Sequence, residues 1–383
     1  MKNFRRVLSV LLVAALIIAC VTACKDDDQT REPGDGASDK SADNYEPFSY
    51  GLGLDENGML EGVTALDYVD LFNYIGIEIP ASVWMVSEDD VLEHFDRSRM
   101  NYVAKESDRI TDRPIEDKDF VNLDFIGSVD NVEFEGGNSF SFGDDGFNVT
   151  AGTEQFIDDF LIQIIGSSPG DELSVTVTFP EVYHDESLAG KEATFEVTIN
   201  HIISKEPFEK EFRDNAIETY VKETYINPLE VEVIPDSVIE SLVENSVRYY
   251  AEEARADGLS LLEYINLNFG YESIDEIFEA ERKDAMDYAK MLLVLQALVE
   301  DIGVSATDED VRNFLINLGP EFDEDRIAQT IEDFTMPYLK QVVLHRAVWE
   351  HIVGEAILLE PTEDELNDGE DDDEDEDEDG EDE

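Results

Sequence analysis

The groups in this 383-residue chain that could do acid–base, nucleophilic or metal chemistry are five histidines, two cysteines and a large excess of carboxylates. Their spacing supports little of that chemistry. His94, His201, His345 and His351 are scattered, and His345 and His351 stand six apart, which does not bring them well onto one helical face. His184, beside Tyr183, is either an acid–base group or a surface histidine. Cys20 and Cys24 both fall within the first 24 residues, so a chain trimmed to Cys24 has no disulfide, cysteine nucleophile or cysteine metal site. Asp375-Glu376-Asp377-Glu378-Asp379-Gly380 opens like a calcium loop, but only three residues follow and the closing glutamate is missing. That run reads as a solvated acidic tail, with weak calcium binding as the other possibility. No metal and no cofactor are expected. A different set remains, between Lys118 and Ser204: Phe125, Phe134, Phe147, Phe156, Ile157, Phe160, Tyr183 and Phe195. These are either the core of a small sheet domain or the lining of an apolar site.

The elements that would position them are strands. Val121, Leu123 and Phe125 alternate with Asn122, Asp124 and Ile126. Leu173, Val175, Val177 and Phe179 alternate with Ser174, Thr176 and Thr178, and Phe195, Val197 and Ile199 with Glu196, Thr198 and Asn200. A Gly-Gly turn is expected at Gly136–Gly137, a short apolar helix over Phe156–Ile162, and a turn from Gly166 to Gly170. Together they predict an α+β unit, an antiparallel sheet packed on a helix.

The flanks have helical periodicity. Ser87-Glu88-Asp89-Asp90 is a capping box with Asp in the Glu position, so a helix is expected over Glu88–Ala104. Further helices are expected over Phe208–Tyr220, from Pro235, over Ile274–Val299, after Thr307-Asp308-Glu309-Asp310, and over Ile331–Ile357, with Pro361 as the stop. Tyr50–Val83 is apolar enough to be ordered without a clear period.

Three phrases in the strand region carry a resemblance: Val121-Asn122-Leu123-Asp124-Phe125-Ile126-Gly127-Ser128-Val129-Asp130, Val132-Glu133-Phe134-Glu135-Gly136-Gly137 and Val177-Thr178-Phe179-Pro180-Glu181-Val182-Tyr183-His184. With the elements between them they resemble the FKBP-type peptidyl-prolyl isomerase domain, and most closely its trigger factor version. The helices after Ser204, with Val233-Ile234-Pro235-Asp236-Ser237-Val238-Ile239, are similar to the trigger factor C-terminal domain, itself related to the helical chaperone domains of SurA. The resemblance implies an FKBP-like sheet inserted in an all-α chaperone domain, with the helix near Glu88 belonging to the chaperone body. It implies that Phe125, Phe134, Glu135, Phe147, Phe156, Ile157, Phe160, Tyr183 and Phe195 form the isomerase site. The Ile157 backbone N–H would meet the substrate carbonyl. Asp158-Asp159 stands where trigger factor usually has Pro-Gly, a departure at the start of the site helix. The implied chemistry suits the residues. Rotation about an X–Pro bond crosses a barrier of about 18–20 kcal/mol set by amide resonance. It breaks no bond, so a dry aromatic pocket that favours the twisted amide is enough.

The first residues give the expected address. Lys2, Arg5 and Arg6 form a positive start, Val7–Ala19 is an apolar run too short for a comfortable membrane span, and Val21-Thr22-Ala23-Cys24 looks like a bacterial lipobox. A diacylated Cys24 would hang the protein from the extracytoplasmic face of the cell membrane. The formal net charge is −68, and only 17 of the 94 carboxylates lie in 363–383, so the acidity is spread through the chain. It argues against nucleic acid or anionic lipid as partners. No segment resembles the ribosome-binding domain of trigger factor. The expected organisation is therefore a lipoprotein signal over 1–24, a disordered tether over 25–49, and an N-terminal segment over 50–115. An isomerase domain over 116–205, a helical chaperone domain over 206–360 and a disordered acidic tail over 361–383 follow. The expected function is a membrane-anchored prolyl isomerase and chaperone for unfolded or proline-containing exported polypeptides. The alternative is a holdase whose isomerase domain is weak or inactive. A passive acidic, calcium-buffering protein is a third reading that rests on charge alone.

Overall fold

The computed structural model describes residues 45–362 except 101, 143–144, 154–155, 158 and 320–321. The lipobox with Cys24, the tether up to residue 44, Asp158 and the tail from residue 363 lie outside the described residues. Two units emerge. A helical unit is formed by two separated parts of the chain, up to Glu78 and from Tyr220 to Ile357, and a sheet unit is formed by the stretch between them.

The sheet unit is α+β. Its strands are β1 (Arg109–Ile110), β2 (Phe120–Val129), β3 (Val132–Asn138), β4 (Phe147–Thr150), β5 (Glu172–Thr178) and β6 (Glu192–Ile203). All pairings are antiparallel. β2 and β6 form the centre, from Phe120 opposite Ile203 to Ser128 opposite Thr194. The other edge of β2 is shared by β4, with Leu123 opposite Phe147, and by β3, with Val129 opposite Val132. β1 and β5 share the other edge of β6. The β2–β3 hairpin turns at Asp130–Asn131, whose φ angles of 52° and 64° suit the twist of a two-residue hairpin. The expected Gly136–Gly137 turn is not where the chain reverses. Both glycines lie inside β3, where the pairing shifts from Ser128–Glu133 to Ile126–Asn138 across a bulge.

The inward positions of β2, Val121, Leu123 and Phe125, join Phe160, Leu161, Val175, Phe195 and Val197 in one buried core. The outward position Phe120 is also fully buried, because helix α1 (Glu88–Ser98) covers that end of the sheet. Phe95 of α1 stacks on Phe120 at 3.8 Å, and Phe208 of α3 (Glu206–Val221) completes the cluster with Ile203. Ser87 caps α1 by accepting the Asp90 N–H. The helix ends at Ser98, not Ala104, and it clusters with the sheet rather than with the helical array. The reason is that Phe120 and Ile203 leave apolar surface on the outer face that needs a cover. The site helix α2 is four residues, Phe160–Gln163.

The helical unit contains α4 (Asp236–Ala256), α5 (Leu261–Phe269), α6 (Ile274–Ile302), α7 (Asp308–Ile316), α8 (Glu324–Phe334) and α9 (Met336–Glu355). Pro235 immediately precedes α4, and the Thr307–Asp310 capping box opens α7. The single closing helix expected over Ile331–Ile357 is two helices. Thr335 between them has a φ of 68°, and Pro337 falls in the first turn of α9, where its missing N–H does no harm. α9 ends at Glu355, well before Pro361. The part of the chain before Glu78 is largely irregular, and several of its backbone groups are satisfied by side chains of the helices. Leu60 N–H donates to Gln296 Oε1 at 2.6 Å, and Gln296 Nε2 donates to the Val63 carbonyl at 2.8 Å. Ser49 exchanges two hydrogen bonds with Asn245, and Phe48 N–H donates to Glu252. The last five residues of the expected tether, 45–49, therefore belong to the helical unit.

Candidate functional site

The aromatic residues singled out by sequence form one connected group. Phe125 on β2 is its hub, with ring centroids 5.7 Å from Phe147, 5.5 Å from Phe156, 6.3 Å from Phe160 and 5.9 Å from Phe195. Phe160 meets Phe195 edge-on at 5.3 Å and Phe156 at 4.7 Å. Phe134 on β3 extends the group from Phe195. Most of these contacts are near-perpendicular, the arrangement that ring quadrupoles favour.

The group has a floor and a rim. Phe125, Phe147, Phe160 and Phe195 are buried, whereas Phe134, Phe156, Ile157 and Tyr183 are half-buried and pack against that core. A ligand can reach the rings through these four. Phe179, fully buried at the end of β5, bridges Phe134 at 5.7 Å to Tyr183 at 4.8 Å. The sequence reading placed Phe179 on a strand and did not assign it to the site. Its signal was its place in the strict alternation just before Pro180. Tyr183 lies on a loop closed at its neck by Phe179 N–H to the Lys191 carbonyl and Gly190 N–H to the Pro180 carbonyl. Within that loop Asp185 accepts from Ser187, which holds its carboxyl below the usual range.

Glu135 is exposed on β3 and is not part of the aromatic group. Strand alternation puts it on the face opposite Phe134. His184 is likewise exposed, with its ring 4.1 Å from Tyr183. The helix expected over Phe156–Ile162 begins only at Phe160, so Phe156 and Ile157 lie in the bend before it. Asp159 occupies the N-cap position, which suits Asp better than a helix interior. Phe160 N–H donates to the Ile157 carbonyl at 3.2 Å, while among the described residues nothing accepts the Ile157 N–H.

Two further features hold the rings in place. A Cβ on Gly127 would come within 2.5 Å of Phe195 and 3.0 Å of Phe134, and one on Gly137 within 2.7 Å of Phe134. Only glycine lets the two strands pass so close to these rings. Behind Phe125 lies a chain of polar side chains on the outer face. Phe125 N–H donates to Ser139 Oγ, Ser139 Oγ donates to Asp124, and Asn200 Nδ2 donates to both Asp124 and Asn122. Asn122 in turn donates to Asn148 at 2.7 Å. This network fixes the backbone of the hub. His201 borders it, and burial with the nearby Arg109 charge pushes its pKa down to about 4.

The rim and floor offer apolar contact, with no nucleophile or acid–base pair among the rings. Among the described residues there is no group of three His, Cys, Asp or Glu side chains able to hold a metal, and no helix long and apolar enough to cross a membrane. Such a site can bind and desolvate an amide; it is not equipped to cleave one.

Residues 111–200 match the family of FKBP-type peptidyl-prolyl cis-trans isomerases, and residues 203–354 match the C-terminus of bacterial trigger factor protein. The chain is 30% identical to the trigger factor of Alkaliphilus metalliredigens over 313 residues, spanning 71% of this chain and 69% of that one. It is 31% identical to the trigger factor of Staphylococcus carnosus over 345 residues, spanning 81% and 75% respectively. The trigger factor of Staphylococcus saprophyticus is 28% identical over 376 residues, spanning 83% of each chain.

Proposed function

The chain belongs to the trigger factor family and is a peptidyl-prolyl cis-trans isomerase chaperone of the FKBP type; from that premise we propose that it works on exported polypeptides at the extracytoplasmic face of the bacterial membrane, held there by a lipid on Cys24. The observation that carries the isomerase reading to particular atoms is the aromatic group with its half-buried rim. A proline ring placed among Phe134, Phe156 and Tyr183 would sit over Phe125, Phe160 and Phe195. The resonance form of the amide carries more charge separation than the twisted form, so removing water favours the twist. The N–H of Ile157, for which the described residues supply no acceptor, is the candidate donor to the carbonyl before proline. Uncatalysed exchange takes tens to hundreds of seconds, slow enough to limit the folding of a client.

The anchoring reading is supported by Lys2, Arg5 and Arg6, the apolar run Val7–Ala19 and Val21-Thr22-Ala23-Cys24. It implies clients met after export rather than nascent chains on a ribosome. Two measurements test the whole. A protease-coupled isomerase assay should show turnover that Tyr183→Ala lowers; equal turnover removes the rim from the site. Metabolic labelling with palmitate should mark the wild-type chain and not Cys24→Ser, and an unlabelled wild type ends the lipoprotein reading.

The holdase alternative is favoured by one observation, the late start of α2, which leaves Phe156 and Ile157 without helical support. It predicts that Tyr183→Ala leaves suppression of aggregation intact even where turnover is already low.

A further inference from the structure

Helix α1 covers one end of the sheet, and the turn that follows it reaches the aromatic group. Arg99 stands at the C-cap of α1, with its guanidinium over the Phe147 ring at 5.9 Å from the centroid. Phe147 is buried in the group, where it meets Phe125 and Phe156. Arg99 Nη1 donates to the Asn148 carbonyl at 3.1 Å, and Asn148 Nδ2 donates back to the Arg99 and Tyr102 carbonyls at 2.8 and 2.7 Å. Asn148 is buried, follows Phe147 on β4, and accepts from Asn122 through its Oδ1. Asp96 of α1 lies 3.9 Å from Arg99 Nε and accepts from Thr150 Oγ1 at 3.3 Å. The turn after α1 is thus clamped to β4 in both directions. The Arg99 side chain is 21% exposed, so water screens its charge only in part, and a partly desolvated cation holds a ring more firmly than one at an open surface. Arg99 precedes the stretch 111–200 that matches the isomerase family.

We propose that Arg99 is a positioning residue of the isomerase: its charge sets the plane of Phe147 and, through Phe147, the placement of the rim ring Phe156. The inference rests on the aromatic group being the isomerase site. Phe147 needs such a hold because it stands at the first position of a four-residue strand, directly after Gly146 with its φ of 77°. Phe156 needs it because it lies in the bend before α2 and takes its place from the rings around it, Phe147 at 6.0 Å among them. A ring contact specific to the twisting amide speeds turnover only where the ring is already in place, so a small displacement costs rate more than it costs binding. Removing the charge should therefore lower kcat and leave KM nearly as it was, because the apolar lining stays. Arg99 supplies no proton to the amide, since arginine does not titrate near neutral pH.

Two substitutions that keep a donor for the Asn148 carbonyl isolate the charge: Arg99→Gln removes it and Arg99→Lys retains it. In the protease-coupled assay on the full chain, Arg99→Gln should lower kcat about fivefold with KM within about twofold of wild type, and Arg99→Lys should stay within about twofold in both. Aromatic NMR should show the Phe147 ring resonances displaced in Arg99→Gln and restored in Arg99→Lys. Arg109, which donates twice to the Ala104 carbonyl, is the structural control. Arg109→Met should lower the urea midpoint and leave kcat unchanged. Unchanged kcat in Arg99→Gln, a loss that Arg99→Lys shares, a loss confined to KM, or unmoved Phe147 resonances overturns the proposal. So does an equal loss of kcat in Arg109→Met, or an Arg99→Gln chain that circular dichroism finds unfolded; either makes Arg99 part of the fold and no more. Tyr183→Ala, run alongside, separates the two readings. If it lowers turnover while Arg99→Gln does not, only this inference fails. If it leaves turnover intact, the aromatic group is not the site and both fail.

Discussion

Replacing Phe156 by alanine separates the site from the core. Its ring lies 4.7 Å from Phe160, 5.5 Å from Phe125 and 6.0 Å from Phe147, yet it is half-buried, whereas Phe160 is completely buried. Phe160→Ala is expected to lose roughly 3–5 kcal/mol of stability. That is a large part of the about 5–15 kcal/mol that holds a typical domain, so an inactive Phe160→Ala says little about catalysis. An aromatic side chain buries roughly 150–250 Å2 when fully covered. With about half of that covered, and about 25 cal/mol per Å2, Phe156→Ala loses about 2–3 kcal/mol. The domain should remain folded at low temperature. If the ring contacts the twisting proline, losing one apolar contact specific to the transition state lowers kcat/KM by about 10- to 100-fold, equivalent to about 1.4–2.7 kcal/mol. The assay is protease-coupled isomerisation of a proline tetrapeptide near 10 °C, with circular dichroism on the same samples. A kcat/KM within twofold of wild type, with native dichroism, would show that Phe156 is packing alone and that the rim does not react.

Other expectations follow from particular contacts. Gly127→Ala forces the Phe195 and Phe134 rings aside, so it should cost about 1–3 kcal/mol in a urea titration and also reduce turnover; loss of neither shows that the strands yield instead. Gln296→Leu leaves the buried Leu60 N–H without its acceptor, a loss of about 1–3 kcal/mol. Residues 45–78 should then become cleavable by protease, and unchanged resistance would deny Gln296 that role. His201 has a folded pKa of about 4, below its ordinary value, so the unfolded chain takes up a proton that the folded chain refuses. Its contribution is fully present above about pH 6.5 and is lost as pH falls toward 4. His201→Gln should flatten the urea midpoint between pH 7 and pH 5, and an equally steep decline in the variant places the acid sensitivity elsewhere.

Much of the site was legible because its chemistry is carried by residue type and order. The alternations at Val121–Ile126 and, more strictly, Leu173–Phe179 set which side chains point inward, and the seven aromatics named from sequence, Phe125 among them, form one group that Tyr183 joins through Phe179. The failures have local causes. Gly136–Gly137 resembled a turn, but Asp130–Asn131 reverses the chain, and Gly137 makes room for Phe134. Glu135 was grouped with Phe134 by adjacency, while strand alternation sends it to the opposite face. Helix α2 was expected to start at Phe156, and Asp159 instead stands at its N-cap. Pro337 was a readable sign that Ile331–Ile357 could not be one helix.

By itself the sequence determined what depends on neighbours along the chain: the strand periodicity, the Ser87 cap, the Thr307 capping box, the Pro235 helix start and the spread of negative charge. Only the tertiary structure decided what depends on partners far apart in sequence. It sorted the aromatics into a buried floor and a half-buried rim, brought Phe179 into the group, and set α1 against Phe120. It satisfied the irregular backbone at Ser49, Leu60, Val63 and Ala65 with Asn245, Gln296 and Glu300. Burial and hydrogen-bond satisfaction are properties of assembled surfaces. They are fixed when elements pack, and no single stretch of the chain contains them.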